Sequence, residues 1–239
     1  MTPLPFIDIH SHNSYPGKDS VVVKNLFPGD GFAAFSGRNF YSVGLHPWYL
    51  KSEEENNELL TLVEDALEFD HVIFVGECGP DPNAKTNFSE QMRVFEAQAF
   101  MAEEYQKPLI IHCVKAYNEV IRVHKKLNPI QPWILHGYNG NMQTTKQLDE
   151  RNFLFSFGAI HKIDKHIDTG EILFKEKAKA IESFEYLPVE RIFFETDETK
   201  EGIEKIYRKG ASVKKMKLEK LQKEVLDNFN RIENIQWNG

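Results

Sequence analysis

Two histidines stand one residue apart near the start of this 239-residue chain. They are His10 and His12 in the stretch FIDIHSH, at the end of an apolar run. If this stretch is a β-strand, alternate side chains point to one face, so the two imidazoles project together. Such a pair suits one metal ion. On this stretch alone, two ordinary polar residues at a strand end are an equally good interpretation.

Ionisable residues also end several later apolar runs, namely His46, Glu77, His112, His136 and Asp197. A single histidine in such a place is usually a hydrogen-bonded core residue. Several imidazoles and two carboxylates in one pocket, however, are costly to desolvate unless a cation compensates. Ligands rich in nitrogen favour zinc, manganese, iron or nickel over magnesium alone.

The number of candidate ligands favours two ions rather than one. The candidates are His10, His12, Glu77, His112, His136 and Asp197, which is more than one tetrahedral zinc uses. Two divalent ions about 3.5–4 Å apart can activate a water molecule and hold the attacking and leaving oxygens of a phosphoryl group. The predicted chemistry is therefore hydrolysis.

Eight short apolar runs predict the strands that position these residues. They are rich in Val, Ile and Phe and lack strict alternation, as is typical of strands buried on both faces. We expect strands at residues 6–10, 20–27, 40–46, 71–77, 108–112, 132–136, 152–158 and 191–197.

Helical patterns lie between most of these runs. Ser52 and Glu55 form a capping box ahead of a helix, and Ser89 is expected to open a second one. Further helices are predicted at about 116–126, 142–150, 170–184 and 217–233.

Alternating strands and helices predict parallel βα units. No Gly-rich dinucleotide fingerprint follows any strand, which favours a closed barrel over an open doubly wound sheet. We expect one domain, residues 1–239, with the α/β fold of a single (β/α)8 TIM-like barrel. Few residues separate His12 from Tyr41, so the first one or two βα units are expected to be shortened. In such a barrel the carboxyl ends of all strands meet at one mouth, where active sites lie.

Composition restricts the possible partners and compartment. A net charge of −7 argues against coating duplex nucleic acid by bulk electrostatics, although a local phosphate site remains compatible. Two cysteines, Cys78 and Cys113, are too few for a disulfide framework and fit a reducing compartment. No apolar run is long enough to span a membrane. We expect a cytoplasmic protein without membrane association or a stable protein partner.

Six motifs in a fixed order resemble the TatD family of metal-dependent deoxyribonucleases, within the amidohydrolase-like barrels. The HxH pair alone is weakly specific, but the ordered set is strongly specific and runs over nearly the whole chain. The motifs are IDIHSH, SVGLHPW, FVGECGPD, QMRVFEAQAFMAEEYQKPLIIHC, WILHGYNG and FFETDE.

The resemblance implies roles for individual residues. It implies two divalent metal ions, zinc as found, with magnesium or manganese possible for activity. His10 and His12 would bind one ion and His112 and His136 the other. Glu77 would bridge the ions, and Asp197 would bind metal and orient or deprotonate the attacking water, which makes these two the catalytic residues.

Substrate-binding roles are implied for two more residues, His46 and Lys115, on a substrate that is a DNA strand end or a small phosphodiester. Here the chain departs from the family pattern. In HCVKA, Val114 stands where the family usually has arginine, and Lys115 follows it. A lysine point charge does not replace a planar bidentate phosphate donor.

Three other functions remain open. The same metals could serve an amidohydrolase-type enzyme that cleaves lactones or amides. A phosphatase of the histidinol-phosphatase kind also begins with HxH, but its closing D-x-H signature is absent because Glu198 and Thr199 follow Asp197. The chain could also be a non-enzymatic binding module that retains metal for stability.

Overall fold

The computed structural model of the chain describes residues 4–13, 19–30, 40–158, 160 and 175–233. From the third strand onward, each strand in these ranges is followed by a helix, as the sequence predicts. The strands are β1 (Phe6–Ser11), β2 (Ser20–Leu26), β3 (Phe40–Val43), β4 (Val72–Cys78), β5 (Leu109–Ile111), β6 (Trp133–Leu135), β7 (Leu154–Phe157) and β8 (Ile192–Phe194). The helices are α1 (Glu53–Leu67), α2 (Phe88–Glu104), α3 (Tyr117–Leu127), α4 (Met142–Asp149), α5 (Lys175–Tyr186), α6 (Ile203–Val213) and α7 (Leu218–Glu233).

The chain divides into two compact units. The terminal unit comprises Met1–Val22 and His136–Gly239, and the middle unit comprises Val23–Leu135. In the middle unit, β2 to β6 pair in parallel in chain order. In the terminal unit, β7 pairs in parallel with β8, and Ser11 forms a parallel bridge with Asp197. The expectation of a single domain over residues 1–239 stays a prediction.

The core of the middle unit explains why its strands read as continuous apolar runs. Every residue of β4 is buried, so neither face of this strand selects polar side chains. Helix α2 packs on the sheet through Phe95, whose ring centroid lies 5.7 Å from that of Trp133 in β6.

Aromatic rings in contact fill the core of the terminal unit. The centroid of Phe194 in β8 lies 5.8 Å from that of Phe184 and 4.4 Å from that of Tyr207. The Tyr207 hydroxyl also donates to the carbonyl of Ile7 at 3.0 Å and accepts from its N–H at 3.1 Å. Helix α6 is thereby fastened to β1 by packing and by two hydrogen bonds.

Local sequence signals located some helix ends correctly and others not. The capping box at Ser52 and Glu55 is present. Ser89 does not open α2, because the Asn87 side chain caps it by accepting from the N–H groups of Ser89 and Glu90. Helix α6 was not predicted, since it begins after Gly202 without a side-chain cap.

Two expectations fall partly outside the described residues. Between β1 and β3 the structure describes β2 and a 3-10 turn at Pro28–Asp30, but residues 14–18 and 31–39 lie outside it. The shortening of the first βα units therefore stays a prediction, as does the start of the helix expected at 170–184. Among the described helices, none has the length and apolarity needed to cross a bilayer.

Gly210 tests the packing of α6 on the sheet. A Cβ at this position would lie 2.6 Å from the ring of Phe194, which is fully buried. Gly→Ala normally stabilises a helix interior by about 1 kcal/mol, but here the ring must move. We expect Gly210→Ala to lower the free energy of unfolding in urea by about 1–3 kcal/mol. The control Ser212→Ala, at an exposed position of the same helix, should change it by at most about 0.5 kcal/mol. A Gly210→Ala variant as stable as the parent would contradict this packing.

Candidate metal centre

The terminal unit gathers four of the predicted ligands into what we call the His10 cluster: His10, His12, His136 and Asp197. Asp197 Oδ1 lies 3.8 Å from His10 Nε2 and 3.5 Å from His12 Nε2. The ring centroids of His10 and His136 are 4.5 Å apart. One ligand atom each from His10, His136 and Asp197 lie within 4.8 Å of one another. Three side chains separated by up to 187 residues of sequence are therefore close enough for one ion.

Backbone pairing at the end of β1 places this cluster. The N–H of Asp197 donates to the carbonyl of His10, and the N–H of His12 donates to the carbonyl of Asp197, both at 3.0 Å. Asp197 adopts a positive φ of 51°, which aspartate and asparagine tolerate better than most residues. Both the backbone N–H and the backbone carbonyl of Asp197, the predicted water-activating residue, are thus hydrogen-bonded to β1 and the residue that follows it.

A buried aspartate, Asp8, stabilises this backbone pairing by binding the residue that precedes Asp197. Asp8 accepts from the N–H of Thr196 at 2.9 Å and from its hydroxyl at 2.6 Å. Burial raises the pKa of Asp8 to about 7, although the hydrogen bonds from Thr196 act in the opposite direction. These contacts fix Thr196, and with it the start of the Asp197 turn, against β1.

Glu195 orients another imidazole of the cluster. Its Oε1 accepts from the N–H of Gly137 at 2.7 Å and lies 3.4 Å from His136 Nδ1. Burial acts to raise the pKa of Glu195, but the nearby His136 and hydrogen bonding hold it below its ordinary value. A carboxylate on one ring nitrogen commonly fixes the tautomer of a metal-binding histidine. The Glu195 contact would leave Nε2 of His136 for an ion.

The middle unit contains a second grouping, the Glu77 cluster, which consists of His46, Glu77 and His112. Glu77 Oε1 lies 2.9 Å from His112 Nδ1 and 3.4 Å from His46 Nε2. The two ring centroids are 4.4 Å apart. One ligand atom from each residue lies within 4.8 Å of the others. Glu77 is buried, so its charge requires these partners.

Glycines allow Glu77 to approach His112. A Cβ on Gly76 would meet the carbonyl oxygen of Ile110 at 2.2 Å, and one on Gly79 would meet that of His112 at 2.0 Å. Both glycines also have positive φ angles, 117° and 143°. The GECG stretch can therefore lie directly against the backbone of β5, where any larger residue would push the strands apart.

Two buried glutamines of α2 hold the segments that follow β3 and β4. Gln98 accepts from the N–H of Leu45 at 2.7 Å and donates to its carbonyl at 3.2 Å. Gln91 does the same for Asp81, at 2.8 and 3.1 Å. Each amide satisfies both polar groups of one residue. The glutamine motif in the sequence therefore positions the backbone next to His46 and after Glu77.

Asp81 joins the Glu77 cluster to an exposed tryptophan. Its Oδ2 accepts from the indole N–H of Trp48 at 2.6 Å and lies 3.4 Å from His112 Nε2. Burial acts to raise the pKa of Asp81, but hydrogen bonds from Trp48, Asn83 and His112 lower it below its ordinary value. The ionised Asp81 can accept Nε2–H of His112, and the Nδ1 lone pair of the neutral ring would then be available to a cation shared with Glu77.

His46 differs from the other imidazoles in how its nitrogens are used. Its Nδ1 accepts from the backbone N–H of Trp48 at 3.2 Å and caps the 3-10 turn Pro47–Tyr49. A neutral imidazole that accepts at Nδ1 carries its proton at Nε2. His46 therefore presents a donor, not a lone pair, towards Glu77. This favours the predicted role in substrate binding over metal ligation.

Lys115 follows β5 in an exposed position with a positive φ of 54°. Its predicted contact with substrate stays a prediction, as do the individual metal roles and the bridging role of Glu77. Sequence reasoning missed Asp8, Asp81 and Glu195. A signal was available for two of them, because Asp8 and Glu195 each lie two residues before a predicted ligand and share its strand parity.

Comparison with known proteins decides the family. A family model described as TatD-related DNase matches residues 32–234. The chain belongs to this family. An uncharacterized metal-dependent hydrolase from Haemophilus influenzae is 25% identical over 172 residues, which cover 69% of this chain and 61% of that protein. The 3'-5' ssDNA/RNA exonuclease TatD of Citrobacter koseri is 23% identical over 223 residues, which cover 80% of this chain and 76% of that protein.

A solved structure shows the fold of this TatD-family chain. The crystal structure of YJJV, a TatD homolog from Escherichia coli K12, matches with a TM-score of 0.77 at 16% identity. The match covers 97% of this chain and 98% of that one. At this identity the likeness concerns the fold alone, and it confirms the predicted (β/α)8 TIM-like barrel.

The tautomer of His46 leads to a prediction about metal content. His46→Asn keeps an acceptor that can cap the 3-10 turn but removes the imidazole. We expect the purified variant to retain the metal content of the parent, measured per chain by elemental mass spectrometry, because His46 offers no lone pair to an ion. His112→Asn, the matched comparison, should lower it. Equal metal loss in both variants would make His46 a ligand.

Proposed function

We propose that the chain is a divalent-metal-dependent phosphodiesterase that removes nucleotides from the end of a single nucleic-acid strand. The observation that carries this proposal is the grouping of imidazole and carboxylate atoms within each unit: His10, His136 and Asp197 offer ligand atoms within 4.8 Å of one another, and His112 lies beside Glu77. Family membership supports it. A relative named as a 3'-5' exonuclease of single-stranded DNA and RNA supports the choice of bond and strand.

The donor set fits divalent metals. Imidazole nitrogens mixed with carboxylate oxygens suit zinc and manganese better than an all-oxygen site would, and Asp81 and Glu195 supply the outer carboxylates that such histidines commonly use. We propose that each chain binds two ions, which are zinc in the protein as purified. The proposed ligands are His10, His12, Glu77, His112, His136 and Asp197. When bound, the ions would lower the pKa of a water molecule and polarise the phosphoryl oxygen.

The protein's own groups have separate tasks in this proposal. Asp197, whose side chain is 43% exposed, orients the attacking water and accepts its proton. Its two backbone hydrogen bonds hold the main chain that carries this carboxylate against β1. His46 donates Nε2–H to a phosphate oxygen, and Lys115 adds a positive charge. We place this activity in the cytoplasm.

One departure from the family keeps a second function in view. Val114 stands where the family usually has arginine, so a planar phosphate clamp is missing at that position. An amidohydrolase-type reaction on a lactone or amide needs no such clamp. The same ligands could serve it, so assays of the purified protein on phosphodiesters and on lactones are needed to separate the two reactions.

Asp197→Asn is the decisive substitution. Asparagine also tolerates positive φ, so the fold should persist while the proton acceptor is lost. We expect kcat/KM to fall about 100- to 10,000-fold on single-stranded oligonucleotides and on bis-p-nitrophenyl phosphate. The melting temperature, measured in parallel, should stay within a few degrees of the parent's.

Other outcomes separate the alternatives. Activity of the parent on lactones with none on either phosphodiester would replace the proposed function by the amidohydrolase reaction. Full phosphodiesterase activity in Asp197→Asn would remove this residue from catalysis. A parent without any turnover, but with a bound partner whose affinity Asp197→Asn leaves unchanged, would indicate a binding module.

Metal removal gives an independent test. Dialysis against a chelator should abolish phosphodiester hydrolysis, and added zinc or manganese should restore it. The chelated protein should also unfold at a lower temperature, because a ligand at 100 times its Kd stabilises the folded state by about 2.7 kcal/mol. Elemental analysis of the restored protein should give two ions per chain. Unchanged activity after complete chelation would contradict the proposal.

A further inference from the structure

Trp48 is a large apolar side chain that the fold leaves 58% exposed. It lies in the 3-10 turn Pro47–Tyr49 that follows β3. Single exposed apolar residues are common on protein surfaces, and Phe100 on α2 is exposed to the same degree. Exposure alone therefore assigns no role to Trp48, and its surroundings must decide.

The indole of Trp48 is held in one orientation. Its N–H donates to Asp81 Oδ2 at 2.6 Å, and Asp81 is buried. The backbone N–H of Trp48 is itself bound by His46 Nδ1. Side chain and main chain are thus each fixed by a hydrogen bond. The indole N–H, the only polar atom of the ring, already donates to Asp81. The part of the ring that faces solvent is therefore its π-face and its apolar edge.

The same indole borders the Glu77 cluster. Its ring centroid lies 5.4 Å from that of His46, with 83° between the planes, and 6.3 Å from that of His112, with 74° between the planes. A fixed aromatic surface therefore stands one ring contact away from two imidazoles that could meet a phosphate or an ion. Phe100 lies on α2 and serves as the control for exposure alone.

We propose that Trp48 is the stacking surface for the nucleobase whose phosphate is held at the Glu77 cluster. In a nucleotide one sugar separates base from phosphate, so a phosphate beside His46 and His112 brings its base to the neighbouring indole. Stacking uses the π-face that every base has and requires no hydrogen bond from the indole. It therefore tolerates any base sequence, as a nuclease acting on strand ends requires. This inference rests on the proposed function for its choice of ligand.

The charge of the chain agrees with a stacking contribution. With a net charge of −7, the protein gains little from general attraction to a polyanion. Aromatic stacking is the other main source of affinity for single strands, and Trp48 provides it next to the predicted chemistry.

The test compares two ligands that differ only in the base. The metal-loaded protein is titrated calorimetrically with deoxyadenosine 5'-monophosphate and with 2-deoxyribose 5-phosphate. We expect the parent to bind the nucleotide about 5- to 100-fold more tightly than the sugar phosphate. In Trp48→Ala this preference should fall to nearly one. Trp48→Phe, which keeps a flat ring without the indole N–H, should retain most of it, and Phe100→Ala should retain all of it.

The preference is a ratio within one protein preparation, so partial misfolding of a variant cannot imitate the expected result. A parent that binds both ligands equally, or binds neither, would overturn the inference. So would a Trp48→Ala variant that keeps the full preference for the nucleotide.

An activity comparison separates this inference from the proposed function. Single-stranded oligonucleotides that end in adenine or in an abasic sugar are hydrolysed by the parent and by Trp48→Ala. We expect Trp48→Ala to raise KM for the adenine-ended strand and to leave KM for the abasic strand unchanged. If neither strand is cleaved but the base preference in binding depends on Trp48, the proposed function fails and the stacking surface stands. If both strands are cleaved and binding ignores the base, the stacking surface fails alone.

Discussion

Buried carboxylates are the constraint on which the rest of the site depends. Asp8, Glu77, Asp81 and Glu195 are each at most 5% exposed, and a desolvated carboxylate is costly unless donors meet it. The donors here are backbone N–H groups, a threonine hydroxyl, an indole and imidazoles. Since these donors come from different strands and turns, satisfying each acid also fixes the segments that carry it.

In the middle unit, buried polar side chains also fix the backbone beside the Glu77 cluster. Gln91 and Gln98 use both ends of their amides on single residues of the backbone, which a helix at a fixed height above the sheet can do. Gly76 and Gly79 let the backbone around Glu77 lie against β5 and His112. Gln91 holds the segment after β4 and Gln98 the segment after β3 that carries His46, so both segments that flank the Glu77 cluster are fixed.

Periodicity was sufficient to predict the strands and most helices because it reflects burial directly. It placed His10 and Glu77 on strands, and the order of motifs predicted the family and the barrel. It could not place His46 correctly on its strand, because β3 ends three residues earlier, and it missed α6, whose apolar positions lie within a charged stretch. Such features depend on where backbone hydrogen bonding stops.

The other features of the site that the sequence did not predict depend on interactions between particular side chains and backbone groups. The tautomer of His46 depends on one backbone N–H two residues away, and the orientation of Trp48 depends on an aspartate 33 residues later. Neither leaves a periodic signal. The hydrogen bond between Asp8 and Thr196 joins residues 188 positions apart. A single sequence predicts which face of its strand each residue lies on, but not that the two residues are in contact.

The hydrogen bonds between Tyr207 and Ile7 have a consequence for the order in which parts of the protein fold during synthesis. They join residues 200 positions apart, and long loops must close before such contacts stabilise anything. On the ribosome β1 therefore emerges 200 residues before the tyrosine that bonds to it. The Tyr207 bonds to β1 can therefore form only late, while strands β2 to β6, which pair with their neighbours in the chain, are free to pair during elongation.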